Sequence, residues 1–350
     1  MHTGVIYAFL AAVTFGASTP FSKMLVGQVA PVTLAGLLYL GSGLGLLVWF
    51  MVRAASAQSK NDNSSRLTRK DAPWLAGAIL FGGIAGPVLL MLGLTLTPAS
   101  AASLLLNMEG VLTSLLAWFV FKENFDRRIF LGMVLIVIGG VVLSWEQRPA
   151  FGVPWGAIAI VGACLCWGID NNLTRKISAS DAVQIAGIKG LVAGAVNLTI
   201  AFALGMSMPS VSSALLAGVV GFCGYGLSLV FFVLALRNLG TARTGAYFSI
   251  APFVGAAISL VMLGDAPGAG FWLAGALMAA GIWLHLTEKH EHTHTHVPLT
   301  HAHKHTHDEH HQHQHDFPWD GKEPHVHPHQ HEPLTHTHPH VPDIHHRHQH

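Results

Sequence analysis

The chain has 350 residues, of which 51% are hydrophobic and 11% are charged, and its mean hydropathy is +0.47. Soluble domains carry about 25% charged residues, so this composition excludes an ordinary soluble domain and indicates a polytopic membrane protein. The formal net charge of +1 gives no reason to expect nucleic acid as a partner. All three cysteines lie in apolar stretches, which does not fit a disulfide framework.

Ten apolar stretches of roughly 18 to 25 residues follow one another, each long enough to cross about 30 Å of hydrocarbon. They cover residues 4–22, 31–53, 73–94, 98–121, 128–146, 154–176, 182–205, 213–236, 242–263 and 267–287. The first stretch has no basic region before it, so we expect a retained helix and not a cleaved signal peptide. The sequence therefore predicts an all-α integral membrane protein with ten transmembrane helices.

Lysine and arginine are unevenly divided between the connecting loops. Twelve of them lie in loops on the side of the N-terminus, whereas only Lys23 and Arg148 lie in loops on the opposite side. Because cytoplasmic loops carry the excess of basic residues, both termini are predicted to be cytoplasmic. We expect a multi-pass protein of the inner or plasma membrane.

An internal repeat relates the two halves of the chain. Glu123 and Asp265 each follow the fourth span of a half, 142 positions apart. Five helices are an odd number, so the second unit enters the membrane from the opposite side. The sequence predicts two inverted five-helix repeats, residues 1–146 and 151–287, with a binding site at mid-depth between them.

The fourth span contains a single formal charge, Glu109. About eleven residues into a membrane-crossing helix, this carboxylate is expected near the midplane, where an ionisable group is costly and marks a substrate or ion pathway. Asn107 and Thr113 lie on the same polar arc of the helix. Interhelical hydrogen bonding is the structural alternative, and we accept it for the neighbouring serines. For Glu109 we predict a proton relay or the binding and release of a cationic substrate.

A second polar cluster, Asp170 and Asn171, lies near the end of the sixth span. Lys189 in the seventh span lies at a similar depth from the same side, so an ion pair with Asp170 would lower the cost of burying both charges. Lys189 could instead extend its side chain to the interface. Both interpretations stay open at this point, and a pair would act as a cytoplasmic gate or as a static brace.

The tail, residues 288–350, carries 23 of the 25 histidines. It is rich in proline and has no apolar periodicity, so we predict that it is disordered. Alternating His-x-His pairs can gather neutral imidazoles around Zn, Ni or Co. The predicted metal ligands are His292, His294, His296, His301, His303, His305, His307, His313 and His315. We expect no required cofactor, and these transition metals are the ions that the tail could hold.

Several of these features together resemble the drug/metabolite transporter superfamily, specifically tandem EamA-like domains. The resemblance rests on the ten-helix layout, on Trp167-Gly168 with Arg175 in the sixth span, and on the run from Pro98 to Glu123. It covers about residues 1–287 and leaves the tail unmatched. It implies an exporter or exchanger of small organic solutes, often driven by a proton gradient.

Two positions depart from that family pattern. Phe15-Gly16 stands where Trp-Gly is usual, and Glu109 stands where the second half has Ala251. Glu109 is therefore interpreted as a feature of this chain or of its subfamily.

The main functional hypothesis is a secondary active transporter that exports a small organic solute by proton-coupled alternating access. The alternatives are a Ni, Co or Zn permease whose tail buffers or delivers the ion, and a membrane-anchored metal sensor or store without transport. No enzyme is expected, because the sequence has no GxxxxGK[ST] loop and no HExxH motif. The expected partners are the lipid bilayer, a small-molecule or ion substrate and, as one option, a second copy in a homodimer.

Overall fold

The computed structural model describes residues 2–55, 67–121, 127–146, 153–178, 180–287, 290–295, 299–305, 325–331 and 335–340. The first half contains α1 (His2–Val26), α2 (Pro31–Ala55), α3 (Ala72–Ala78), α4 (Gly86–Leu96), α5 (Ala99–Leu105), α6 (Met108–Phe121) and α7 (Arg127–Glu146). The second half contains α8 (Trp155–Arg175), α9 (Ala182–Ala203), α10 (Val211–Gly221), α11 (Ser228–Phe248), α12 (Ala251–Leu263) and α13 (Ala269–Leu286). A 3₁₀ turn, Arg69–Asp71, precedes α3.

Within the described part of the chain, eight helical segments are long and apolar enough to cross a bilayer. The other two predicted stretches correspond to shorter apolar helices, α12 and α13. The largest difference from the predicted bounds is at the ninth stretch, 242–263. Its first part continues α11 to Phe248, and α12 begins only at Ala251 with Pro252 in its first turn. Proline has no backbone N–H to donate, so a helix readily restarts at that position.

Matched irregularities in the two halves confirm the predicted repeat. A π-helical segment, Ile79–Ala85, joins α3 to α4, and a second, Phe222–Leu227, joins α10 to α11, with their starts 143 positions apart. The turn at residues 106–107 interrupts the fourth span, and the turn at 249–250 interrupts the ninth at the same offset. Since a π-segment is rare in a helix, its presence at equivalent places in both halves indicates a shared architecture.

Helices with the same place in each half pack against each other. α2 contacts α9, and α7 contacts α13. The fourth and ninth spans pack across the halves in an equivalent way: α12 packs on α1, and α5 and α6 pack on α8. This arrangement brings the fourth, sixth, first and ninth spans together between the halves. The interface between the repeats is therefore bordered by the two interrupted spans and by the continuous first and sixth spans.

Glycines allow the close approach of α2 to its neighbours. The spacing from Gly41 to Gly45 predicts tight helix packing. A Cβ on Gly43 would lie 2.8 Å from the carbonyl carbon of Gly190, and one on Gly41 would collide with Gly218. The backbone of α2 therefore packs on those of α9 and α10 without room for a methyl group.

The histidine-rich tail contains four short strands. β1 (His290–Thr295) pairs antiparallel with β4 (Thr335–His340), and β2 (Leu299–His305) pairs antiparallel with β3 (His325–His331). These four segments are extended, and disorder stays the prediction for the tail as a whole. Alternation with a period of two, together with Thr and Val between the histidines, suits an extended strand. The rest of the tail lies outside the described residues.

Candidate substrate site between the two halves

A cavity of about 70 Å³ lies where the two halves meet, and it opens to the outside. Its polar wall includes Glu109 from the first half and Asp170, Asn171 and Lys189 from the second. Four of the six residues predicted for a substrate or proton pathway therefore line one cavity.

Glu109 lies at the N-terminus of α6, directly after the turn at residues 106–107. The continuous helix predicted through this region is therefore wrong. Asn107 donates its side-chain amide to the Leu104 carbonyl at 3.0 Å, and this local bond competes with helical hydrogen bonding. As a result, the positive end of the α6 dipole faces the Glu109 carboxylate and favours its negative charge.

One amide holds the Glu109 side chain in place. Asn171 Nδ2 donates to Glu109 Oε1 at 2.8 Å. The carboxylate remains partly exposed, and it lines the cavity together with Asn171. Glu109 can therefore exchange a proton or contact a ligand without moving its neighbours.

Asp170 and Lys189 form a buried ion pair, which decides between the two interpretations that the sequence left open. Lys189 Nζ contacts Asp170 Oδ2, and both side chains are more than nine-tenths buried. Thr174 Oγ1 donates to the other carboxylate oxygen, Oδ1, at 2.9 Å. Because the charge of Lys189 balances that of Asp170, this pair contributes no net charge to the cavity wall.

The other two predicted residues lie outside the cavity wall. Asn107 Nδ2 also contacts the sulfur of Met278 at 3.6 Å, which directs it toward α13. Thr113 faces Gly168 of α8, where a Cβ on that glycine would lie 3.2 Å from the Thr113 nitrogen. Thr113 lies one helical turn after Glu109 on the same side of α6, but at that level Gly168 of α8 packs against it and the cavity does not reach it.

The π-helical segment Ile79–Ala85 is a part of the site that sequence reasoning missed. It exposes the carbonyl of Gly82, which accepts hydrogen bonds from Tyr39 Oη at 2.6 Å and Trp167 Nε1 at 3.1 Å. Asn197 Nδ2 donates to the next carbonyl, that of Gly83, at 3.0 Å. A π-segment frees backbone carbonyls from the helix ladder, and here they position two aromatic side chains of the cavity.

Aromatic rings form the remaining wall of the cavity and contact one another. Phe15 stands edge-on to Trp167 and to Tyr225, at centroid distances of 5.8 and 6.0 Å. Phe248 packs 5.4 Å from Phe15 and 4.9 Å from Phe232. No local pattern distinguished these rings from the aromatic residues that face lipid; only their convergence in space does so.

Gly82→Ala is expected to destabilise the protein, because the added methyl group would collide with the Asp170 carboxylate. Overpacking of this kind costs about 1–3 kcal/mol. Thermal unfolding of the purified protein in detergent measures the change. Gly110→Ala is the matched control, since a Cβ there meets no atom within 4 Å. Equal unfolding temperatures for the two variants would contradict the tight approach of Gly82 to Asp170.

Two charged side chains contact helix ends on the side of the helical body opposite the N-terminus of α1. Lys23 Nζ donates to the carbonyls of Leu94 and Thr97, the latter at 2.9 Å, at the end of α4. Asp265 Oδ2 accepts from the Ser100 amide at 3.0 Å, at the start of α5. Each charge complements the helix terminus that it contacts. These contacts tie the third and fourth spans to the first span and to the second half.

A family model for EamA-like transporters matches residues 2–145 and 154–287, that is, both halves of the helical body. The chain belongs to the EamA-like transporter family. It is therefore a multi-pass membrane protein of a transporter family, built from two tandem units. The matched ranges end before the histidine-rich tail.

Two relatives and one solved structure extend this comparison. An uncharacterized transporter of Methanothermobacter thermautotrophicus is 28% identical over 298 residues, which are 80% of this chain and 85% of that protein. A probable amino-acid metabolite efflux pump of Salmonella typhimurium is 28% identical over 54% of this chain and 68% of the pump. A crystal structure shares the fold with a TM-score of 0.60 at 19% identity, covering 80% of this chain and 94% of that one.

Metal ligands do not cluster in the described part of the EamA-like body. No group of three or more His, Cys, Asp or Glu residues there is arranged to hold an ion. His285 Nε2 lies 3.0 Å from the Ile129 carbonyl, so it is used in packing α13 on α7. Of the predicted tail ligands, His292, His294, His301, His303 and His305 lie in strands, whereas His296, His307, His313 and His315 lie outside the described residues.

Proposed function

We propose that the protein is a secondary transporter that exports a small organic solute in exchange for protons, with Glu109 as the group that both bind. The observation that carries this proposal is the charge balance of the cavity. Asp170 is neutralised by Lys189, whereas Glu109 is contacted by the neutral amide of Asn171. Along the described cavity wall, Glu109 is thus the ionisable group whose charge is not balanced by an opposite one.

The transport cycle follows from competition at this carboxylate. A solute that binds ionised Glu109 displaces a proton, and a proton that binds Glu109 releases the solute. Alternating access then requires that the cavity opens to one side at a time. Asp170 lies near the end of α8 and Lys189 near the start of α9, so the cavity extends toward the side of the termini. Separation of Lys23 and Asp265 from their helix ends would open the opposite side.

The proposed direction and location rest on different observations. The Salmonella relative carries the name of an efflux pump, which supports export here. The excess of lysine and arginine on the side of the termini supports a cytoplasmic location for both ends. Solute would then enter the cavity from the cytoplasm and leave as protons enter.

Proteoliposomes that contain the full chain and a trapped pH-sensitive dye test this function. We expect that at least one organic solute from a panel of cations, anions and neutral compounds dissipates an imposed pH gradient faster than in protein-free liposomes. Chlorides of Ni, Co and Zn are included in the same panel. If none of the organic solutes drives proton movement, the proposal is contradicted. If only a metal chloride drives it, the metal-permease alternative is favoured.

We also propose that the tail binds transition metals and serves the transporter as a metal buffer. The backbone register places histidines opposite one another, as in His292 with His338, His294 with His336 and His303 with His327. Opposed residues of an antiparallel pair are close neighbours, and imidazole suits Zn, Ni and Co. A pairing that repeats every second residue would therefore bring several ligands together along one ladder.

Deletion of residues 288–350 is expected to remove most bound metal without loss of the helical body. Equilibrium dialysis of purified protein against Zn²⁺ or Ni²⁺, followed by elemental analysis, should give several ions per full-length chain and fewer than one per truncated chain. Solute-driven proton movement by the truncated protein is the control for folding. Equal metal content in both proteins would contradict metal binding by the tail.

A further inference from the structure

We infer that the exported solute is an organic cation with an aromatic or comparably apolar body. This inference rests on the proposed function, since it specifies what binds at Glu109. It comes from the charge of the cavity, from the aromatic residues that line it and from the buried hydroxyl group of Tyr225.

The charge of the cavity selects against anions and zwitterions. Lys189 is the one cationic side chain along the described cavity wall, and it is already bound to Asp170. A solute carboxylate would therefore meet no available positive partner, and it would be repelled by ionised Glu109. A cation, by contrast, gains a partner in a partly desolvated site, where charge pairing is stronger than in water.

The aromatic wall favours the same class of solute. Phe15, Trp167, Tyr225, Phe232 and Phe248 line the cavity, and the ring contacts between them form a continuous aromatic surface. Ring faces attract cations within about 6 Å of their centroids, and Trp and Tyr do so most strongly. The same rings bury apolar surface of the solute, including an aromatic ring packed edge-on or offset.

Tyr225 adds a buried hydroxyl group to this wall. Its side chain is more than nine-tenths buried and lines the cavity. Its hydroxyl lies near the Ser18 and Ser22 hydroxyls, but none of the described residues makes a hydrogen bond of good geometry with it. A buried hydroxyl without a partner is costly, so a hydrogen bond to the solute would satisfy it. Phe15 and Tyr39 pack on the Tyr225 ring and hold it at this position.

Four probes of nearly the same shape and different charge test the inference by titration calorimetry on the full-length protein in detergent. These are 2-phenylethylamine as the cation, 2-phenylethanol as the neutral form, 3-phenylpropionate as the anion and phenylalanine as the zwitterion. We expect the amine to bind at least tenfold more tightly than the other three. We also expect its affinity to fall as the pH is lowered, because protons compete for Glu109.

Variants identify the groups responsible. Glu109→Gln should lower the affinity for the amine at least tenfold, and Phe232→Leu should lower it severalfold. Phe130→Leu is the control, because Phe130 is exposed on α7 and does not line the cavity. Equal or tighter binding of the anion or the zwitterion by the unmodified protein would overturn the inference, as would no binding of the amine at all. The comparison of the four probes uses the unmodified protein, so it does not depend on the folding of any variant.

The outcomes separate this inference from the proposed function. Proton movement driven by an anionic or neutral solute, and dependent on Glu109, would overturn the cation preference and leave proton exchange standing. Tight binding of the amine without coupled proton movement in proteoliposomes would overturn proton exchange and support the cation site.

Discussion

Replacement of Glu109 with glutamine is expected to reduce solute-driven proton movement to the level of protein-free liposomes. The amide has the size of the carboxyl group and can still accept the hydrogen bond that Asn171 donates at 2.8 Å. It cannot take up or release a proton, so exchange at this position stops. We expect a fall of at least about 100-fold, which is the lower end of the range for loss of one positioned proton-transfer group. The trapped-dye assay measures it.

Two controls separate lost proton coupling from lost folding. The unfolding temperature of Glu109→Gln in detergent should stay within a few degrees of the parent protein, because a neutral side chain is easier to bury than a charged one. Glu109→Asp keeps a carboxyl group and should retain part of the proton movement. Unchanged, gradient-driven transport by Glu109→Gln would exclude Glu109 as the coupling group.

Replacement of Lys189 with methionine is expected to lower the free energy of unfolding by about 3–5 kcal/mol. The change removes the cation that neutralises Asp170 and leaves a buried carboxylate that still accepts the hydrogen bond from Thr174. Methionine has a similar length and fills the space of the lysine stem, so little of the loss should come from a cavity. Denaturant titration of the detergent-solubilised protein measures the free energy of unfolding.

A second substitution shows whether the unpaired charge is the cause. The double variant Asp170→Asn with Lys189→Met carries no buried charge, and it should recover most of the lost stability. Lys70→Met is the matched control, because Lys70 is exposed in the turn before α3. If Lys189→Met were as stable as the Lys70 control, the ion pair would contribute nothing to the fold.

The sequence alone was sufficient for the layout of the helices. A bilayer requires about twenty apolar residues for each crossing and leaves charges outside, so spans and connections can be recognised without tertiary information. The same rule identified Glu109 as exceptional, because a lone carboxylate within an apolar span is costly. Asp170 and Lys189 were likewise recognised by their depth, although the sequence could not decide whether they pair.

Only the tertiary structure decided which groups meet in the cavity. The π-helical segment Ile79–Ala85 exposes the Gly82 carbonyl to Tyr39 and Trp167, yet nothing in its composition distinguishes it from regular helix. Thr113 lies one turn after Glu109 on the same helix, yet it packs against Gly168 of α8 and does not line the cavity. Hydropathy depends on each segment by itself, whereas helix interruptions and ring contacts depend on packing between distant segments. For this reason the carboxylate could be found from the sequence, and its aromatic surroundings could not.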